Sequence, residues 1–216
     1  MFSHAKPRAR QLLASVAILL AVNAPCFGND FDTGFKAYQA KDYASAFTHF
    51  KRLAEQGDAV AQHNLGVMYR DGQGVAKNLT AAMKWTRRSA EQGDSSAQYN
   101  LALMYYHGQG VAKDFAQATK WYRKAAEQGN AVAQYNLGVM YRDGQGVAKN
   151  LTAAIKWTRR SAEQGDSDAQ HNLGHMYADG LGVKKDRTAA IHWLRKAATQ
   201  GDKDAKDALK SMGATN

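Results

Sequence analysis

Cysteine and proline are almost missing from this chain. Of its 216 residues one is cysteine, Cys26, and two are proline, Pro7 and Pro25. A single thiol cannot close an intramolecular disulfide, so packing and hydrogen bonds must hold the fold without covalent help. A chain without proline after position 25 can run as uninterrupted helices separated by glycine turns. Long apolar runs are scarce as well. The one such stretch, Leu12 to Val22, has roughly half of the about 20 residues that a membrane-spanning helix requires. Acidic residues are in deficit, 19 against 29 Lys and Arg, for a formal net charge of +10.

The apolar stretch has the surroundings of a secretory signal. Lys6, Arg8 and Arg10 precede it and small residues follow it. Cleavage after Gly28, with Cys26 at the minus-three position, fits best, and Ala24 is a weaker site because Pro25 would follow it; Asn23-Ala24-Pro25 is a poor match to the motif that precedes a lipoprotein cysteine. Export to the periplasm or the medium is therefore expected, with no stable membrane insertion after cleavage. Residues 1–28 hold three of the cations and no acid, which leaves +7 on the remainder. That surface favours an acidic partner, such as an anionic glycan, lipid headgroup, acidic protein or nucleic acid. A solvated helical surface biased to Lys and Arg would carry the same charge.

What the chain has in abundance is repetition. Trp85, Trp121, Trp157 and Trp193 stand 36 residues apart, and so do Gly57, Gly93, Gly129, Gly165 and Gly201. A fixed period in the range of about 20–50 residues means stacked units, each too small to bury a core alone. Four units run from Asp58 to Gly93, Asp94 to Gly129, Asn130 to Gly165 and Asp166 to Gly201. Residues 59–94 and 131–166 differ only at His63/Tyr135 and Met83/Ile155, as recent duplication would leave them. Residues 29–57 read as an N-terminal capping hairpin, with Phe35 and Tyr38 on one face and Ala46, Phe50 and Leu53 on the other helix. Residues 202–216 read as a C-terminal capping helix and tail, with Ala205, Ala208, Leu209 and Met212 on one face.

Within a unit, Asp58, Asp94, Asn130 or Asp166 can cap a first helix, an effect worth about 1 kcal/mol. Gly72, Gly108, Gly144 or Gly180 can close that helix in the left-handed conformation. Asn78, Asp114, Asn150 and Asp186 stand where a second helix would begin. In the second unit Phe115, Ala118, Trp121, Tyr122 and Ala125 form its packing stripe; removing the Trp121 ring would cost about 3–5 kcal/mol if it is buried. Ala-Gln-Tyr-Asn-Leu with Met104-Tyr105, then Gly108-Gln109-Gly110-Val111-Ala112-Lys113-Asp114, then Trp121-Tyr122-Arg123-Lys124-Ala125-Ala126-Glu127-Gln128-Gly129 resembles the Sel1-like repeat, a relative of the tetratricopeptide repeat. The resemblance implies an all-α, right-handed superhelical solenoid of antiparallel helix pairs with terminal caps, and an adaptor role in protein binding. The opening hairpin is closer to a plain tetratricopeptide pair.

No catalytic constellation stands out. Gly72-Gln73-Gly74 lacks the strand of a dinucleotide site and the Lys-Ser/Thr of a Walker loop. His171 and His175 lie four apart on one helical face, but no Glu follows His171 and no third ligand is evident, so no metal or other cofactor is expected. The basic pairs Arg87-Arg88, Arg123-Lys124, Arg159-Arg160 and Arg195-Lys196 have Glu91, Glu127 and Glu163 four residues after their first three arginines, a solvated pattern. Aromatic platforms for nucleic acid are not interleaved with them, and nucleic acid is not an expected partner. Some secreted, cysteine-rich members of the family have been associated with penicillin binding or hydrolysis; the cysteine pairs of their repeats are not matched here, which argues against carrying that activity over.

Helix geometry supplies the binding candidate. If Leu65, Gly66 and Tyr69 pack inward as in the tetratricopeptide helix, then Val60, His63, Val67 and Arg70 form the other, concave stripe. Its equivalents are Ser96, Tyr99, Leu103 and Tyr106; Val132, Tyr135, Val139 and Arg142; and Asp168, His171, His175 and Ala178. An extended peptide or a partner helix could lie along such a groove. The expectation is a non-catalytic, secreted or periplasmic adaptor for a protein or peptide. The alternatives are a cell-envelope enzyme or binding protein acting on peptidoglycan or a β-lactam, and a secreted effector that engages host proteins.

Overall fold

The computed structural model describes residues 28–214. Nearly all of the expected leader therefore lies outside the described residues. Within them there are eleven α-helices and no strand. An opening hairpin, α1 (Gly28–Gln39) and α2 (Tyr43–Glu55), leads into four longer pairs. These are α3 (Ala59–Asp71) with α4 (Leu79–Glu91), α5 (Ser95–His107) with α6 (Phe115–Glu127), α7 (Ala131–Asp143) with α8 (Leu151–Glu163), and α9 (Ser167–Asp179) with α10 (Arg187–Thr199). The single helix α11 (Lys203–Ser211) packs on α10. Each helix packs on the one before and the one after it, so the core extends along a solenoid. No helix among the described residues is long and apolar enough to cross a membrane.

Local chemistry sets the helix boundaries. Asp94 Oδ1 accepts the Ala97 amide at 2.6 Å at the start of α5, and Asp114 Oδ1 accepts the Gln117 amide at 2.9 Å at the start of α6. The same bond forms at every later and earlier first helix of the four units, from Asp58, Asn130 and Asp166. At the other end of α5, Gly108 adopts φ 72° and its amide donates to Met104 O. The loop is then stapled back by the Asp114 amide, which donates to Tyr105 O at 2.9 Å.

The core is built from small and branched side chains at matching places. Leu65, Leu101, Leu137 and Leu173 are all fully buried, as are Ala61, Ala97, Ala133 and Ala169. Trp85 and Trp121 are buried, whereas Trp157 is half-buried against the cluster that holds Trp121, and Trp193 against the next cluster along the chain. A cation covers each indole: Arg88 lies 4.8 Å from the Trp85 ring, Lys124 4.5 Å from Trp121, Arg160 4.9 Å from Trp157 and Lys196 4.7 Å from Trp193.

The second glycine of each Gly-X-Gly loop does more than turn the chain. A Cβ on Gly110 would lie 2.2 Å from Leu79 O, at the first residue of the preceding unit's second helix. On Gly74 it would lie 2.1 Å from Tyr43 O, on Gly146 2.0 Å from Phe115 O, and on Gly182 2.2 Å from Leu151 O. Every long loop is thus seated backbone to backbone on the unit before it. Gly129, at φ 91°, has nothing within 4 Å of a Cβ. Gly129→Ala is expected to cost only the left-handed strain, roughly 1–2 kcal/mol. Gly110→Ala adds a clash with backbone that cannot move aside, and its urea midpoint should fall well below that of Gly129→Ala. Equal midpoints would show that the loop is not seated as described.

Candidate functional site

The first helices hold the residues singled out from the sequence, and they fall into two groups. Val67, Arg70, Leu103, Tyr106, Arg142, His63, His171 and His175 are half-buried along one side of α3, α5, α7 and α9. Tyr99, Tyr135 and Val139 are buried, at 5%, 8% and 5% exposure. Their side chains spend most of their surface inside the solenoid. The Tyr99 ring lies 6.0 Å from the Tyr122 ring, and Tyr135 Oη accepts from Asn172 Nδ2 at 3.0 Å. Burial pushes both Tyr99 and Tyr135 up to about 12, beyond any physiological ionisation.

Polar groups on this side are largely engaged with neighbours. Arg70 donates from Nε and Nη2 to the two carboxylate oxygens of Asp71, both at 2.8 Å, and Arg142 pairs in the same way with Asp143 at 2.7 and 3.0 Å. Each guanidinium thereby carries its own counterion. The Tyr106 ring lies 5.1 Å from that of Phe115 at a tilt of 58°, and its hydroxyl donates to Gln145 Oε1, in the next unit's loop, at 3.3 Å. His63 Nδ1 lies 3.5 Å from Asp94 Oδ1, and His171 Nδ1 3.2 Å from Asp202 Oδ2, so each histidine faces the carboxylate that caps the next first helix. The His171 and His175 rings are 4.7 Å apart. Among the described residues no group of three or more metal-binding side chains gathers.

The floor of the stripe differs from unit to unit. In the first and third units a helical glycine faces a threonine: a Cβ on Gly66 or Gly138 would lie 2.5 Å from Thr86 Oγ1 or Thr158 Oγ1. The third unit keeps a small cleft there, lined by Tyr135, Gly138, Val139, Arg142, Thr158 and Asn172. In the second unit Ala102 and Tyr122 occupy the glycine and threonine positions, both buried. The Tyr122 hydroxyl is buried without a protein partner, and desolvation raises its pKa well above the ordinary tyrosine value. Apolar stretches, ion pairs and a cleft thus alternate along the stripe.

Sequence reasoning missed the residues that join the units. Gln98 Nε2 donates to Ala90 O of the preceding unit at 3.1 Å, and Gln98 Oε1 accepts from Gln128 Nε2 at 2.7 Å. Gln62 with Gln92, Gln134 with Gln164, and Gln170 with Gln200 repeat the arrangement at 2.7–2.8 Å. Arg87, Arg123 and Arg159 likewise donate to the hydroxyls of Tyr105, Tyr141 and Tyr177, at 2.7, 2.8 and 2.6 Å. Their sequence signal was invariance within the repeat at polar positions, with partners 30 and 18 residues on.

The Sel1 repeat matches this chain five times, at residues 33–58, 59–94, 95–130, 131–166 and 167–202, so the opening hairpin is included. A protective antigen of uropathogenic Escherichia coli with an SLR fold superposes with a TM-score of 0.82 at 37% identity, over 85% of this chain and 40% of the antigen. The chain therefore spans about two fifths of that relative's length. A Sel1 repeat protein from Oxalobacter formigenes gives a TM-score of 0.77 at 42% identity, covering 81% of this chain and 72% of the other. The immunity protein Pa5087 of Pseudomonas aeruginosa shares the fold alone, with 23% identity, a TM-score of 0.55, and coverage of 87% and 70%. No curated protein matches the sequence.

The His63–Asp94 contact generates a pH prediction. Burial holds His63 below the ordinary histidine value; Asp94 pulls it up and Arg70 pushes it further down, and the net direction is downward. The unfolded chain, titrating near about 6.5, therefore takes up the proton first as pH falls. The stability that His63 contributes is complete above that value and is lost as pH falls below it towards the folded pKa. His63→Tyr installs the residue that stands at this place in the nearly identical third unit. Its denaturation midpoint is expected to fall less than that of the native chain between about pH 7.5 and about pH 5.5. An identical fall would remove His63 from the pH response.

Proposed function

The chain belongs to the Sel1 repeat family, whose helical solenoids commonly mediate protein–protein contacts and are generally non-catalytic, and we propose that it is an exported, non-catalytic adaptor for a protein or peptide. One observation carries this reading. Along α3, α5, α7 and α9 runs a line of side chains, half-buried except at Tyr99, Tyr135 and Val139, that varies between units, while the glutamines joining the units do not vary. Val67 and Leu103 supply apolar contact and Tyr106 a ring with a polar tip; Arg70, Arg142, His171 and His175 supply polar or charged edges. Repeat solenoids present such extended surfaces to long ligands because each unit adds a similar increment of contact area. Arg70 and Arg142 bring Asp71 and Asp143 with them, so the stripe discriminates by shape and hydrogen bonding more than by net charge.

Export rests on the basic and apolar composition of residues 1–28, and the likeness to a protein described as a protective antigen supports it. The adaptor reading is tested in cells that express the chain with its leader. A photo-crosslinking residue replaces Val67 or Leu103 on the stripe, or Lys84 or Lys156 on the second helices, and envelope and cytoplasmic fractions are separated. The expected result is a discrete protein adduct at the stripe positions, in the envelope fraction, and none at the other two. The same adducts at all four positions, or adducts only at Lys84 and Lys156, would overturn it.

A further inference from the structure

The net charge of this protein is segregated onto one layer of helices. The second helices of the four units, α4, α6, α8 and α10, hold twelve Lys and Arg against three Glu, a net +9. The first helices, α3, α5, α7 and α9, hold two Arg against four Asp, a net −2. Both arginines of that layer are ion-paired to the neighbouring aspartate. The whole excess of +7 outside the leader is therefore more than accounted for by the second helices.

These cations are arranged in register. Lys84 with Arg88, Lys120 with Lys124, and Lys156 with Arg160 are exposed pairs one helical turn apart, and each pair flanks a tryptophan. The second partner of each pair lies over the indole face, at 4.8 Å for Arg88, 4.5 Å for Lys124 and 4.9 Å for Arg160. Lys196 repeats the contact with Trp193 at 4.7 Å. The ring quadrupole and the indole surface restrain these long side chains before any ligand arrives, so less side-chain entropy remains to be lost on binding. Consecutive second helices both pack on the first helix between them, which at about 8–10 Å per packed pair keeps neighbouring charge pairs within roughly 20 Å. A single extended polyanion can therefore contact successive pairs at once, even where salt screens the pairs from one another.

We propose that the layer of second helices is a docking track for a flexible, base-free chain of linked phosphates, an inorganic polyphosphate, distinct from the protein-binding stripe proposed on the first helices. The track offers charge and little else. The indole faces are already occupied by cations, so they are not stacking platforms for the bases of a single-stranded nucleic acid. No large apolar side chain is fully exposed on α4, α6 or α8, so the surface lacks the apolar wedge by which an amphipathic helix enters a bilayer. A flexible phosphate chain needs neither and can follow the repeat from unit to unit. With the stripe engaged by a protein on the other layer, the same molecule would tether that protein to the polymer.

The test uses the purified chain lacking its leader and long-chain inorganic polyphosphate at about 150 mM salt, where isolated surface charges are largely screened. Two variants with the same net charge are compared: K84Q/K120Q/K156Q on the track, and K77Q/K149Q/K184Q in the loops. All six lysines are exposed, and thermal unfolding verifies that both variants fold. The track variant is expected to lose at least tenfold in affinity and the loop variant less than threefold. Equal losses would reduce the effect to net charge and overturn the proposal. So would absence of binding by the native chain, or tighter binding, at equal charge, to duplex DNA, heparin or phosphatidylglycerol vesicles. Polyphosphate binding leaves the crosslinks expected at Val67 and Leu103 untouched, so failure of one reading is distinguishable from failure of the other.

Discussion

Gln98 sits buried between two units with its amide satisfied on both sides of the joint, and the rest of the solenoid depends on that kind of bond. A buried amide left unpaired costs about 1–3 kcal/mol. Here the carbonyl of Ala90 accepts its N–H from the preceding unit while Gln128 of its own unit donates to its oxygen. The relay is satisfied only when units stack in one register. Gln128 Nε2 also donates to Gly93 O at 3.0 Å, which ties the second helix of one unit to the turn that ends the unit before. In a chain with no described cysteine, such bonds supply the specificity of assembly that a disulfide framework would supply elsewhere.

The same joint explains why the repeat tolerates variation in some places and not in others. Gly110 cannot carry a side chain because the Leu79 carbonyl occupies its space, and Arg123 must reach the Tyr141 hydroxyl across the interface. At positions 63 and 171 a histidine faces the carboxylate that caps a following helix, whereas tyrosine at positions 99 and 135 meets Tyr122 and Asn172 instead. Thr86, Tyr122, Thr158 and Leu194 likewise share one position beneath the stripe while changing its floor from cleft to plug. The stripe positions of the first helices therefore vary from unit to unit, while Arg88, Lys124, Arg160 and Lys196 keep a cation over the indole of every second helix.

Much of the architecture is legible in the sequence. The spacing of Trp85, Trp121, Trp157 and Trp193 sets the number and length of the units, since a period of about 36 residues accommodates one helical pair. Asp94 and Asp114 announce helix starts, and Gly108 a helix end, because capping and left-handed closure are local chemistry that needs no tertiary partner. The family resemblance rested on those same residues. The candidate stripe followed from helical spacing once Leu65, Gly66 and Tyr69 were matched to the packing face of the tetratricopeptide helix, and most of its residues are half-buried in the folded chain.

What only the tertiary structure decided lies between units. A sequence pattern cannot tell whether a side chain at the edge of a helical face meets solvent or the next helix, and Tyr99, Tyr135 and Val139 meet the next helix. Nor can it show that Gly74, Gly110, Gly146 and Gly182 are there for close backbone approach as well as for their turns, or that Arg70 and Arg142 arrive with their counterions attached. The glutamine relay joins residues 30 apart, and the arginine–tyrosine bonds join residues 18 apart. Local propensity is a property of a few consecutive residues, and the sequence by itself determined the unit. Stacking brings together residues that no local rule relates, so only the folded solenoid decided which repeated polar residues are joints and which are left to meet a partner.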